Sequence, residues 1–167
     1  MIIFFIYTHD LIQKGVKLET SYLAENRKRQ ESGDMIEELI MDEQHDILFR
    51  RLFNQAHAEV ISKLSVTYLS GTPTDLEPVF REFPDFRQDR DFSLFLNMHA
   101  DFPMQYKKSI EIKIEQYLID FICYRWLETK SPTDAASYFQ RLKPTLDEIK
   151  LLLIRKLNPP KLRPSFP

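Results

Sequence analysis

One stretch limits what this chain can fold into: YKKSIEIKIEQYLIDFICYRWLETK, from Tyr106 to Lys130. Between Tyr117 and Leu127 only Asp120 and Arg125 carry charge, and the rest is Tyr, Leu, Ile, Phe, Cys and Trp. A helix apolar on nearly every side must be wrapped by other protein, because a single stripe cannot accommodate so much hydrophobic surface. The run is shorter than the roughly 20 mostly apolar residues of a membrane span, and charge flanks it. It reads as the central helix of a helical bundle.

The remainder of the chain offers partners for that helix. Thr8 is placed to cap a first helix, near 9–28, whose apolar residues are Leu11, Ile12, Val16, Leu18, Tyr22 and Leu23. Gly15 inside it lowers helix propensity, which points to a close crossing by another helix. RKRQESGD then reads as an exposed loop, and MIEELIM as either a short helix or a strand. Asp42 or Glu43 opens a second helix near 42–69, with a stripe of Leu48, Leu52, Ala56, Val60 and Leu64 widened by Phe49, Phe53 and Ile61. Gly71 closes it.

Asp101 is the expected cap of the central helix, near 102–129, with Pro103 in the first turn. Ser131-Pro132-Thr133-Asp134 opens the last helix, near 132–156: Ser131 as N-cap, Pro132 at the first position, Asp134 in the place of a capping-box acid. Its seam is Ala135, Phe139, Leu142, Leu146, Ile149 and Leu153, and Pro144 should kink or split it. Only three glycines occur in 167 residues, which suits long helices joined by few turns.

Two regions depart from this pattern. Residues 72–104 mix prolines 73, 78, 84 and 103 with phenylalanines, acids and arginines, and read as an irregular flap. Within it 92–98 is a candidate strand, which Pro78 to Phe83 could pair. Residues 2–6 form a second candidate strand; the opening MIIFFI lacks a positive leader and is read as neither signal peptide nor anchor. The expected fold is therefore mainly α, a single four-helix bundle-like domain over 1–156 with a small β element. Residues 157–167 form an extended, basic, proline-rich tail.

The available chemistry is sparse. There is no glycine-rich phosphate loop, and the single Cys123 rules out an intramolecular disulfide. None of His9, His45, His57 or His99 follows a Glu by three residues, as two-metal bundles require. His45 among Asp42, Glu43 and Asp46 reads as a solvated helix start, and Arg50-Arg51 as a solvated helix face. Asp120 and Arg125 are expected to pair with neighbouring helices or reach the surface. A net charge of −2 provides no global field for nucleic acid. No catalytic, cofactor or metal site is expected, nor a small-molecule substrate, nucleic acid or membrane partner. The candidate partner-binding residues are Lys161, Leu162, Arg163 and Phe166 of the tail.

Three stretches carry a family resemblance: FRRLFNQAHAEVISKLS, IEQYLIDFICYRWLETKSPTDAASYFQRL and LLIRKLNPPKLRPSFP. Together they resemble small α-helical head–tail connector or neck proteins of tailed phages and prophages. There a helix ending in an aromatic "W-L" turn precedes a capped helix and a basic, proline-containing tail. The resemblance covers about the last two-thirds of the chain; Pro144 and the 72–100 segment depart from it. It implies a non-enzymatic virion assembly protein that packs on neighbouring ring proteins or on copies of itself. Two other classes are consistent with the residues: a cytoplasmic, stand-alone helical adaptor or regulator, monomeric or dimeric, with a defined groove; and an enzyme, which would need a polar pocket that the sequence does not reveal.

Overall fold

The computed structural model describes residues 2–28, 38–68, 92–98 and 100–154. The fold is mainly α. In chain order it comprises strand β1 (Ile2–Tyr7), helix α1 (His9–Lys28), helix α2 (Asp46–Tyr68), strand β2 (Phe92–Asn97), helix α3 (Lys107–Leu127) and helix α4 (Pro132–Ile154). Single 3₁₀ turns, Glu43–His45 and Met104–Tyr106, lead into α2 and α3.

The long apolar run becomes α3, and it is the centre of the domain. Ile110, Ile114, Tyr117, Leu118, Ile119, Asp120, Ile122, Cys123, Trp126 and Leu127 are all buried. Helices α1, α2 and α4 all pack on it. Side-chain pairs fix their directions. Lys113 joins Glu148 while Tyr124 stacks near Phe139, so α3 and α4 are antiparallel neighbours, as the short loop between them requires. His45 lies against Trp126, and the charge of Glu59 acts on Tyr117, so α2 is also antiparallel to α3. Helix α1 runs parallel to α3: Tyr7, just before α1, donates to the Glu111 carbonyl, and Gly15 faces Ile119.

The helix starts show which capping signals act. Thr8 Oγ1 accepts from the Leu11 N–H at 3.2 Å; Asp42 accepts from the Gln44 N–H at 3.0 Å but caps the 3₁₀ turn, so α2 opens at Asp46 and not, as expected, at Asp42 or Glu43. Pro132 is the first residue of α4, as its missing N–H favours. Ser131 behaves differently from a capping box: its N–H donates to the Leu127 carbonyl at 2.8 Å, leaving its hydroxyl to donate to Asp134. Asp134 also takes the Arg27 guanidinium at 2.8 Å, tying the end of α1 to the start of α4. Asp101 does not cap α3. The 3₁₀ turn intervenes, and Tyr106 holds the N-cap position without a side-chain hydrogen bond.

Pro144 does not split α4, which runs through it unbroken. It removes only its own amide donor, and packing along the rest of the helix outweighs that loss. The buried seam of α4 is Ala135, Tyr138, Leu142, Leu146, Ile149 and Leu153; Tyr138 takes the place expected for Phe139. Likewise α1 buries Ile12, Val16, Thr20 and Ala24, while Leu11, Leu18 and Tyr22 are exposed. In α2 the expected stripe is buried from Leu52 to Leu64, but Leu48 is exposed.

Strand β1 pairs antiparallel with β2, with Ile3 opposite Leu96 and Phe5 opposite Leu94. These four residues are buried and Ile6 is exposed, the alternation of a sheet with one face on the core. Pro78 to Phe83, the strand partner that the sequence suggests, lies outside the described residues. So does most of the Phe/Pro-rich segment. Leu39 and Met41 are buried, and hydrogen bonds pin them in place. Trp126 Nε1 donates to the Leu39 carbonyl at 2.8 Å, and the Met41 N–H donates to Thr20 Oγ1 at 3.2 Å.

Candidate functional site

Helices α2 and α4 both lie on α3, and they leave a groove between them. It holds about 1080 Å³. Tyr117, Phe121 and Tyr124 of α3 form its floor; Gln55, Ala58, Glu59, Ser62 and Lys63 line one wall, and Phe139, Leu142, Pro144 and Leu146 the other. The lining is predominantly apolar. Phe139 is 57% exposed, and its ring lies 5.1 Å from that of Tyr124, which in turn meets Phe121 edge-on at 6.5 Å. Three half-open aromatic rings thus form one continuous surface.

Charge around the groove is uneven. Lys63, Lys143 and Arg125 line it, against a single acid, Glu59. Lys63 lies 3.6 Å from Glu59, and Arg125 lies 2.8 Å from Glu128 at the end of its own helix. Both are exposed pairs of the kind that contributes little and exchanges readily. Burial, reinforced by Glu59, pushes the Tyr117 hydroxyl up to about 12.

Apart from Tyr117, the titratable groups of the interior are not among the residues that line this groove. Asp120 is 1% exposed and accepts from Gln116 Nε2 at 3.0 Å, with Arg141 of α4 at 3.8 Å. Burial raises its carboxyl to about 6; Gln116 and Arg141 counteract that rise, and Glu19 adds to it. Asp120 thus pairs with a neighbouring helix, whereas Arg125 reaches the surface. Cys123 is fully buried, and burial holds its thiol well above the usual range, so it is an inert thiol. Tyr138 donates to Glu19 Oε2 at 3.2 Å. Burial lowers His57 to about 4, so it is neutral in the fold.

The other sequence candidates have structural employment. His45 Nδ1 lies 2.8 Å from Asp42, and its ring packs edge-on to Trp126. Arg50 pairs with Asp46 at 2.7 Å along one helix face. Among the described residues no cluster of His, Cys, Asp and Glu could hold a metal ion, and no helix is long and apolar enough to cross a membrane. Lys161, Leu162, Arg163 and Phe166 lie outside the described residues, as does the whole tail.

Sequence reasoning missed the groove. Phe139 was the available signal, but adjacent Tyr138 and Phe139 fit the α4 seam equally well, and only packing selects between them. Comparison of the chain with protein-family models, with curated proteins and with solved structures returned no match.

Proposed function

We propose that this chain is a non-catalytic protein-binding module, an adaptor or regulator, that seats a partner in the groove between α2 and α4. The observation that carries this reading is the groove itself, with an apolar floor presented on three packed helices and Phe139 standing open at its edge. Rigid helices hold such a surface ready for binding, which limits the ordering cost on association. Aromatic side chains are the residue type that anchors protein interfaces. The adaptor reading puts the protein in the cytoplasm, and the virion reading puts it in the particle.

A second reading, a head–tail connector or neck component of a virion, rests on the three stretches that resemble that family. There the partner is a neighbouring ring protein or another copy, and Lys161, Leu162, Arg163 and Phe166 would supply part of the contact. Exposed Leu18 and Tyr22 on α1 offer further apolar surface for such packing.

Site-specific photocrosslinking in the source cell tests the main reading. A crosslinker at Phe139 should trap one defined protein, and one at Leu18 should not; equal yields at both positions would remove the groove from consideration. Light scattering coupled to gel filtration tests the second. Full-length rings that dissociate when 157–167 are deleted, with an unchanged melting temperature, favour it; a monomer at every concentration rules out self-assembly.

A further inference from the structure

We infer that the occupant of the groove is a short, acidic amphipathic helix of a partner protein. The inference rests on the groove being the binding face, and it adds the chemistry of what binds. Three observations carry it.

The first is shape. Helix α3 is flanked by α1, α2 and α4, and the groove occupies the remaining side, where a further helix would complete the wrapping. The walls run from Gln55 to Lys63 on α2 and from Phe139 to Leu146 on α4. At about 1.5 Å per residue each wall is roughly 10–12 Å long, which matches two turns of helix. Two turns present apolar anchors at i and i+4, the spacing used by helices that lie in grooves.

The second is the floor. Phe121, Tyr124 and Phe139 offer ring faces and edges to Leu or Phe anchors and no cation to receive an inward-pointing acid, while at the rim the Tyr124 hydroxyl donates to Glu128 at 3.3 Å. Acids on the incoming helix must therefore sit at its edges rather than point inward.

The third is charge. Those edges meet Lys63 on the α2 wall, Lys143 on the α4 wall and Arg125 beside Tyr124, with Glu59 the one opposing charge in the lining. Lys143 makes no ion pair among the described residues, and the pairs of Lys63 and Arg125 are exposed enough to exchange for an incoming carboxylate. Nucleic acid fits less well. Three cations provide few phosphate contacts, and the chain carries a net charge of −2.

The test uses the full-length chain and three fluorescent probes, read by anisotropy. Two are synthetic amphipathic helices of about four turns with identical Leu/Phe anchors, one with Glu and one with Lys on the polar face. The third is a short oligothymidylate. The acidic helix should bind, and bind more weakly as salt screens the rim charges. The lysine helix and the oligothymidylate should not bind. Lys63→Glu combined with Lys143→Glu should weaken the acidic helix about tenfold or more and admit the lysine helix. Equal binding of both helices, preference for the oligothymidylate, or no binding of the acidic helix overturns the inference. If the acidic helix fails while Phe139 still crosslinks a partner, the groove remains the binding face and only its assigned ligand is wrong. If both fail, both readings fall.

Discussion

Gly15 of α1 lies directly against the side-chain tip of Ile119 of α3, which fills the space where a Cβ at position 15 would stand. A Cβ placed on Gly15 would stand 3.1 Å from Ile119 Cγ1 and collide with its Cδ1. A glycine that costs helix propensity is thus accounted for by the crossing it permits. Gly15→Ala gains about 1 kcal/mol of helix propensity but must push the Ile119 side-chain tip aside, so its net effect should lie within about 1 kcal/mol of zero, short of the propensity gain. In the Ile119→Val background, which lacks the colliding atom, the same substitution should come closer to its full propensity gain, a coupling that a double-mutant cycle reads. Urea denaturation of the four proteins measures this, and strict additivity would refute it.

Trp126 combines burial with a hydrogen bond across the domain. It is 4% exposed, its Nε1 donates to the Leu39 carbonyl, and the Lys130 ammonium lies 3.7 Å above its ring. Trp126→Ala should cost about 3–5 kcal/mol. Trp126→Phe keeps much of the packing but strands the Leu39 carbonyl, and should cost about 1–3 kcal/mol. Hydrogen exchange at Leu39 and Met41 should rise in both variants, because the segment loses its tether. Unchanged exchange there would mean that the tryptophan holds only its own helix.

Asp120 and His57 give opposite pH dependences. The folded pKa of Asp120 is raised from 3.8 to about 6, so between those values the unfolded chain releases a proton that the folded chain keeps. Stability from this group therefore falls as pH rises from about 4 to 6, then stays constant. His57 is lowered from 6.5 to about 4, so the unfolded chain takes up a proton first, and its contribution falls as pH drops through that window. Each shift corresponds to about 3 kcal/mol, and the two slopes oppose each other. Asp120→Asn should raise stability at pH 7 and leave the His57 slope, so that the variant weakens on acidification from pH 6.5 to 4. Melting temperatures across pH 4–7 decide the matter; no gain at pH 7 would show that Arg141 already compensates the buried charge.

The Arg27–Asp134 contact joins the last turn of α1 to the first turn of α4, and the side chains are 30% and 17% exposed. Asp134→Ala removes one partner of Arg27 and an acid from a helix start. It should cost about 1–2 kcal/mol. Arg27→Ala should cost less, because Asp134 keeps the Ser131 hydroxyl. Equal losses in thermal unfolding would mean that the ion pair, not the helix start, carries the effect.

The sequence by itself determined the elements and the centre. A run apolar on all sides can only be wrapped, so α3 had to lie inside three other helices. Local backbone chemistry likewise placed the starts at Thr8 and Pro132, because capping depends on the two or three residues that follow, whereas Asp42 caps a 3₁₀ turn and α2 begins four residues later at Asp46. The glycine at position 15 gave notice of a close crossing, though not of Ile119 as the side chain it meets. Tertiary structure decided which of two adjacent apolar residues faces inward. Tyr138 and Phe139 fit the α4 seam equally well by spacing, and burying Tyr138 against Glu19 turned Phe139 out to line the groove. It also chose the partner of β2, since alternation marks a strand but pairing with β1 is a long-range event. Asp101 failed as a cap for a related reason: Phe102 and Pro103 are buried, and the chain enters α3 through a 3₁₀ turn rather than at the first local signal. The groove was invisible in the sequence because it is a gap between helices, set by how α2 and α4 sit on α3. No local pattern encodes that separation.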